Sequence, residues 1–257
     1  MSIFATEPTS PHVRSNVKAR VKMVAVALGL IALSTSVRAS LLTNESFESP
    51  VLVPGSDFLI VPVGGGAIPG WTVVGPAGKN VAIIEALYNL PDSAGINFAA
   101  SNGVQWIDLT GGGANAYEGL AQTVATTPGS YNLEFDIGNV VAPAANLGTQ
   151  STIDLWLNGV LVQSFTNSSA GGGAINWETF KYSFAATGAT KVEFRNADAS
   201  GDNFNGLDNV VLAAVPEPAS WLLSLVGATA LGLLARRRGI DLVGQTMRQS
   251  NWRATDV

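Results

Sequence analysis

The sequence predicts an all-β fold, an antiparallel β-sandwich (jelly roll), and three observations carry that prediction. In 131–137, Tyr131, Leu133, Phe135 and Ile137 point one way, and Asn132, Glu134 and Asp136 the other. Period-two alternation of this kind marks a strand with one buried face. Asn158-Gly159 sits between two apolar-rich runs in 152–165, and Asn-Gly supplies the two positive-φ residues of a type I′ hairpin turn. No window between 44 and 213 carries a long helical period, and Gly, Pro and Asn turns punctuate the whole stretch. Many short strands with such spacing point to two packed antiparallel sheets.

Taken in order, residues 1–39 read as a signal peptide for the Sec export machinery. Arg14, Lys18, Arg20 and Lys22 precede an apolar run, Met23 to Leu33, and the segment ends in Val37-Arg38-Ala39. The apolar run is too short to span a membrane, and cleavage is expected after Ala39. Residues 40–213 form the predicted sandwich. Within it, 177–184 turns Phe180, Tyr182 and Phe184 inward, and 191–196 does the same with Val192 and Phe194. The glycine triplets at 64–66, 111–113 and 171–173 read as turns, and none precedes the Lys-Ser/Thr of a phosphate-binding loop. Residues 198–208 are acidic and Asn-rich, but Asn203 and Asn209 stand where an EF-hand needs Gly and Glu. That stretch reads as a loop between strands.

Composition excludes several chemistries. The chain has no cysteine, and its single histidine, His12, lies in the leader. The mature domain therefore lacks a Ser-His-Asp triad, a Cys-His pair and His/Cys zinc sites. Residues 40–215 hold fifteen acidic side chains against Lys79, Lys181, Lys191 and Arg195, a net charge of −11. Such a domain repels nucleic acid and is compatible with Ca²⁺ and neutral sugars.

Three short stretches carry a resemblance. Asn44-Glu45-Ser46-Phe47-Glu48 opens the domain, Gly70-Trp71 follows, and Leu207-Asp208-Asn209-Val210 closes it. Together they resemble the galactose-binding-like jelly rolls, a group that includes many carbohydrate-binding modules. The resemblance implies that the first and last strands lie side by side, with Glu48 and Asp208 holding a structural Ca²⁺. It also implies a glycan ligand. Sugars stack on aromatic rings and hydrogen-bond to acids and amides. Trp156 falls off the Ile153/Leu155/Leu157 face, so Trp156 and Tyr117 are the expected ligand-binding residues, whereas Trp71 is expected in the core. No motif frames a catalytic pair of carboxylates, and the domain is expected to be non-catalytic. Two readings stay open: a polysaccharide-binding module, or a structural or adhesive component of an extracellular matrix with no small ligand.

The C-terminal part gives the most specific signal. Pro216-Glu217-Pro218 precedes an uncharged run, 219–235, and then Arg236, Arg237 and Arg238. Seventeen residues make a helix of about 26 Å, at the lower limit for a membrane span, and the arginines would stay on the cytoplasmic side. These three parts in order, residues 214–238, strongly resemble the PEP-CTERM sorting signal. That resemblance implies a Gram-negative bacterium, a transient inner-membrane anchor, processing by an exosortase, and delivery to the cell surface or matrix. Residues 239–257 continue beyond the usual end of such signals as a polar tail expected to be disordered.

Overall fold

The computed structural model describes residues 39–54, 58–86, 96–113, 115–141, 147–169, 173–216 and Gly227. All but Ala39 fall in one compact unit, Ser40–Val257. The described residues of 40–216 form an all-β sandwich with eleven strands. These are β1 (Phe58–Pro62), β2 (Thr72–Val74), β3 (Asn80–Glu85), β4 (Gln105–Asp108), β5 (Gly119–Val124), β6 (Gly129–Asn139), β7 (Ser151–Leu157), β8 (Val160–Asn167), β9 (Asn176–Ala186), β10 (Thr190–Asn196) and β11 (Gly206–Ala214). A six-stranded sheet runs β1-β3-β4-β11-β6-β9 and a five-stranded sheet β2-β5-β10-β7-β8. Every strand pairing within them is antiparallel.

The alternation read from the sequence sets which face is buried. Leu133, Phe135 and Ile137 of β6 meet Ile153 and Leu155 of β7 and Val192 and Phe194 of β10 in one core. Phe135 packs edge-on to Phe194 at 4.9 Å and to Phe165 at 5.2 Å. Each such side chain, removed from water, contributes about 1.5–3 kcal/mol. Trp71 lies in this core, as expected. The β7–β8 turn has φ 51° at Asn158 and 81° at Gly159, the two positive values a type I′ turn requires. Asn158 also binds β10: its N–H donates to the Lys191 carbonyl at 2.9 Å, and its side-chain oxygen accepts the Lys191 N–H at 2.8 Å.

The opening segment runs beside the last strand. Leu41 N–H donates to the Leu212 carbonyl and Val210 N–H to the Glu45 carbonyl, both at 2.8 Å. Of β11, Gly206 and Leu207 are the residues that pair with β4, and 41–45 takes over where β4 stops. A second apolar cluster covers the outer face of the six-stranded sheet. Ala82, Ile84 and Trp106 supply its floor, and Phe98, Leu147 and Phe204 from connecting loops fold over it.

Among the described residues no helix is long and apolar enough to cross a membrane. The expected signal peptide up to Arg38, the expected transmembrane helix 219–235 apart from Gly227, and the tail 239–257 lie outside the described residues.

Candidate functional site

Strands β3 and β4 send alternate side chains to opposite faces of the sheet. Val81, Ile83 and Ile107 enter the sandwich core. Ala82, Ile84, Trp106 and Asp108 face the other way and line an open cavity of about 470 Å³, bordered by Phe58, Ile60, Phe98, Leu147, Phe204 and the 111–113 glycines. That volume suits a small organic molecule. The aromatic part is held rigidly: Trp106 lies 5.5 Å from Phe204 and 5.9 Å from Trp177, ring to ring. The indole N–H groups of Trp106 and Trp177 donate to the carbonyls of Phe98 and Ala99, each at 2.9 Å. These two bonds pin the 98–99 loop over the sheet.

Asp108 is the one ionisable side chain among the described lining residues. Its Oδ1 accepts the Thr110 hydroxyl at 2.7 Å, the Thr110 N–H at 2.9 Å and the Asn205 N–H at 3.2 Å. Burial pushes its pKa up to about 7, against those hydrogen bonds and with a further push from the charge of Glu118. A carboxyl in this state keeps much of its proton at neutral pH, beside an apolar cavity. Sequence reasoning did not single out Asp108. All four residues of β4 are buried, so the strand shows no polar face to alternate with.

The two expected ligand-binding residues come together on the outer face of the five-stranded sheet. The Tyr117 hydroxyl donates to Asp154 Oδ2 at 2.6 Å and accepts the Trp156 indole N–H at 3.2 Å. The Arg195 guanidinium lies 5.4 Å from the Tyr117 ring and 6.0 Å from the Trp156 ring. Its Nε donates to Glu193, which also accepts Lys191 Nζ at 2.6 Å. Tyr117 holds φ 68°, an uncommon conformation for a non-glycine residue. Burial, and then the bond to Asp154, raise its phenol above the ordinary range.

Glu48 and Asp208 grip one loop. Glu48 Oε1 accepts the N–H groups of Val104 and Gln105 at 2.8 and 2.9 Å, and Asp208 Oδ2 those of Ser101 and Asn102 at 2.8 Å each. Gly103, at φ 75°, sits between them, and a Cβ there would lie 2.2 Å from Glu48 Oε1. Asp208 pairs across the sheet with Asp136, which accepts the hydroxyls of Ser101 and Thr179, each at 2.6 Å. Burial raises Asp208 to about 7, and the Asp136 charge adds to it. Two like charges with no basic side chain among these partners fit a cation by charge. Among the described residues no group of three or more acidic, histidine or cysteine side chains converges on one metal position. Further ligands for Ca²⁺ would therefore be carbonyl, amide or hydroxyl oxygens.

Of the sorting-signal residues, Pro216 is described; Glu217, Pro218, Arg236, Arg237 and Arg238 lie outside the described residues. Residues 39–212 match the family model HpiC1-like, described as HpiC1 cyclase. The chain belongs to the HpiC1-like family. This membership corrects the expectation of a non-catalytic domain, because the family is described by a cyclase. Residues 214–238 match the PEP-CTERM protein-sorting motif, so the chain carries the sorting signal of an exported, membrane-processed protein. No curated protein matches the chain.

Solved structures similar to this HpiC1-like chain include the Stig cyclase Fisc from Fischerella sp. TAU, in complex with (3Z)-3-(1-methyl-2-pyrrolidinylidene)-3H-indole. It is 19% identical, with 70% of this chain and 100% of that chain covered and a TM-score of 0.48. TmCBM61 in complex with β-1,4-galactotriose is 19% identical, covering 68% and 99%, with a TM-score of 0.42. The CBM22-1 xylan-binding domain from Paenibacillus barcinonensis Xyn10C is 14% identical, covering 62% and 95%, with a TM-score of 0.39.

Proposed function

We infer that the sandwich is an acid-catalysed cyclase acting on an apolar, olefin-bearing substrate in the aromatic cavity, within a protein sorted to the surface of a Gram-negative cell. The observation that carries this reading is Asp108, a buried acid with a pKa of about 7 on the wall of a cavity lined by Phe98, Trp106 and Phe204. Family membership supports the reaction class.

The chemistry closes without a cofactor. Asp108 donates its proton to a substrate carbon–carbon double bond, leaving a carbocation and an aspartate. The aromatic rings stabilise that cation, and the bound substrate displaces water from around them. A second π bond attacks the cation to form the new carbon–carbon bond. The aspartate then takes a proton from the adjacent carbon, which restores both the double bond and the acid. The product is an isomer of the substrate, and a carboxyl of pKa near 7 serves both proton transfers.

The test uses purified mature protein and a panel of aromatic compounds bearing alkenyl side chains, in D₂O. A product of changed retention that gains one deuterium is expected, and Asp108→Asn slows its formation by about 10²–10⁴-fold. Cyclisation at full rate in Asp108→Asn excludes Asp108 as the acid.

A second reading has its own support. Tyr117 and Trp156, chosen from the sequence as a glycan platform, meet on the outer face of the five-stranded sheet. Glycan binding there is compatible with catalysis in the cavity of the other sheet. Loss of polysaccharide binding in Trp156→Ala is the expected result.

A further inference from the structure

The glycan reading leaves open which sugar. The domain carries only four basic side chains, and two of them, Lys191 and Arg195, stand on β10 beside Trp156 and Tyr117. They sit above the acids that hold them. The Lys191 and Arg195 side chains are 43% and 25% exposed, against 5% for Glu193. Asp154, the other acid of the cluster, is 7% exposed and capped by the hydroxyls of Tyr117 and Ser164. Solvent therefore meets cations and aromatic rings, with the carboxylates beneath them.

The layering has a physical cause. Strand β10 alternates: Val192 and Phe194 enter the core, so Lys191, Glu193 and Arg195 share the outer face. Glu193 is the short side chain between two long ones that reach out past it. Glu193 is shared by both cations, and Asp154 stands across the sheet from Arg195, so the cluster is neutral in sum with its cations outermost. Burial works to raise the Glu193 pKa, and Lys191 and Arg195 outweigh it, so the group stays charged below its ordinary pKa. The cross-strand neighbours of Trp156 are Glu193 on β10 and Leu161 on β8; Leu161 is 44% exposed and extends the apolar part of the face.

We propose that this face binds an anionic polysaccharide, one bearing uronate carboxylates, with the sugar ring on Trp156 and Leu161 and the carboxylate on Arg195 and Lys191. The inference rests on the glycan reading of the same face. The outermost charges select the ligand: here they are the two cations, on a domain that carries −11 over residues 40–215. A planar guanidinium forks onto a carboxylate through two parallel N–H···O bonds. Stacked rings add the sugar selectivity that charge alone lacks.

The experiment measures binding of the mature domain to oligogalacturonate and to neutral galactan of equal length, by calorimetry at two salt concentrations. Oligogalacturonate is expected to bind at least tenfold tighter than galactan, weaken with salt, and lose at least tenfold in both Arg195→Gln and Lys191→Gln. Lys191 is the more exposed of the two, and its variant keeps the test open if Arg195→Gln fails to fold. Galactan bound as tightly as oligogalacturonate overturns the anionic assignment and leaves the glycan reading standing. Binding to neither overturns both. Equal, Arg195-dependent binding of single-stranded DNA shows charge without sugar selectivity and also overturns the proposal.

Discussion

Asp108 keeps its proton because the apolar cavity and the sheet keep water from its carboxyl, and that has a consequence for stability. Its folded pKa is about 7, against an ordinary value of 3.8. Between those values the folded chain binds more protons than the unfolded chain. The stabilisation is fully present below about pH 4 and is lost as pH rises through 7. A shift of this size corresponds to about 4 kcal/mol at most. Asp198, raised to about 7 by burial and then by the charge of Asp202, pulls the same way. The melting temperature is therefore expected to fall between about pH 4 and pH 7. Asp108→Asn, neutral at every pH, should flatten that fall in a calorimetric series. An unchanged slope in the variant would mean that Asp108 titrates normally.

Elements differ in how much the sequence said about them. The β7–β8 hairpin and β6 were legible, because a turn type demands particular residues and a half-buried strand must alternate. The outward side of Trp156 was legible too, from the parity of β7, but its hydrogen bond to Tyr117 was not, because Tyr117 lies in the loop before β5 and reaches Trp156 only in the assembled sheet. Strand β4 was not legible: it is buried on both sides, and short fully buried runs carry no period. The cavity was not legible either, since Phe98 and Phe204 reach it from loops whose paths depend on the assembled sheet. The Glu48–Asp208 clamp lies between these cases. The resemblance named both residues, and the structure adds that they hold the single loop 101–105. If Ca²⁺ occupies that clamp, it links the opening segment to β11, and millimolar Ca²⁺ raises the melting temperature of the mature domain. Asp208→Asn should remove the calcium-dependent part of that rise, whatever it does to the baseline. No calcium response in the wild type ends the expectation.

At the scale of the whole molecule, fold and sorting signal share residues. The PEP-CTERM motif begins at residue 214, and Ala214 is still paired with Tyr131 in the six-stranded sheet. The next residue, Val215, donates its N–H to the Ser130 carbonyl at 2.8 Å. Ladder bonds hold the chain up to the residue before Pro216, so no free linker separates the domain from the signal. A processing enzyme needs an extended, unpaired segment in its site. Cutting upstream of Val215 would require peeling the end of β11 from β6, at a cost in backbone hydrogen bonds of about 0.5–1.5 kcal/mol each. Cutting downstream leaves the sheet whole. Mass spectrometry of the form released from the membrane should therefore find a C-terminus at or beyond Val215, without residues 239–257. A terminus before Ala214 would show that the strand end unpairs during sorting. A terminus at Val257 would show that release does not involve cleavage.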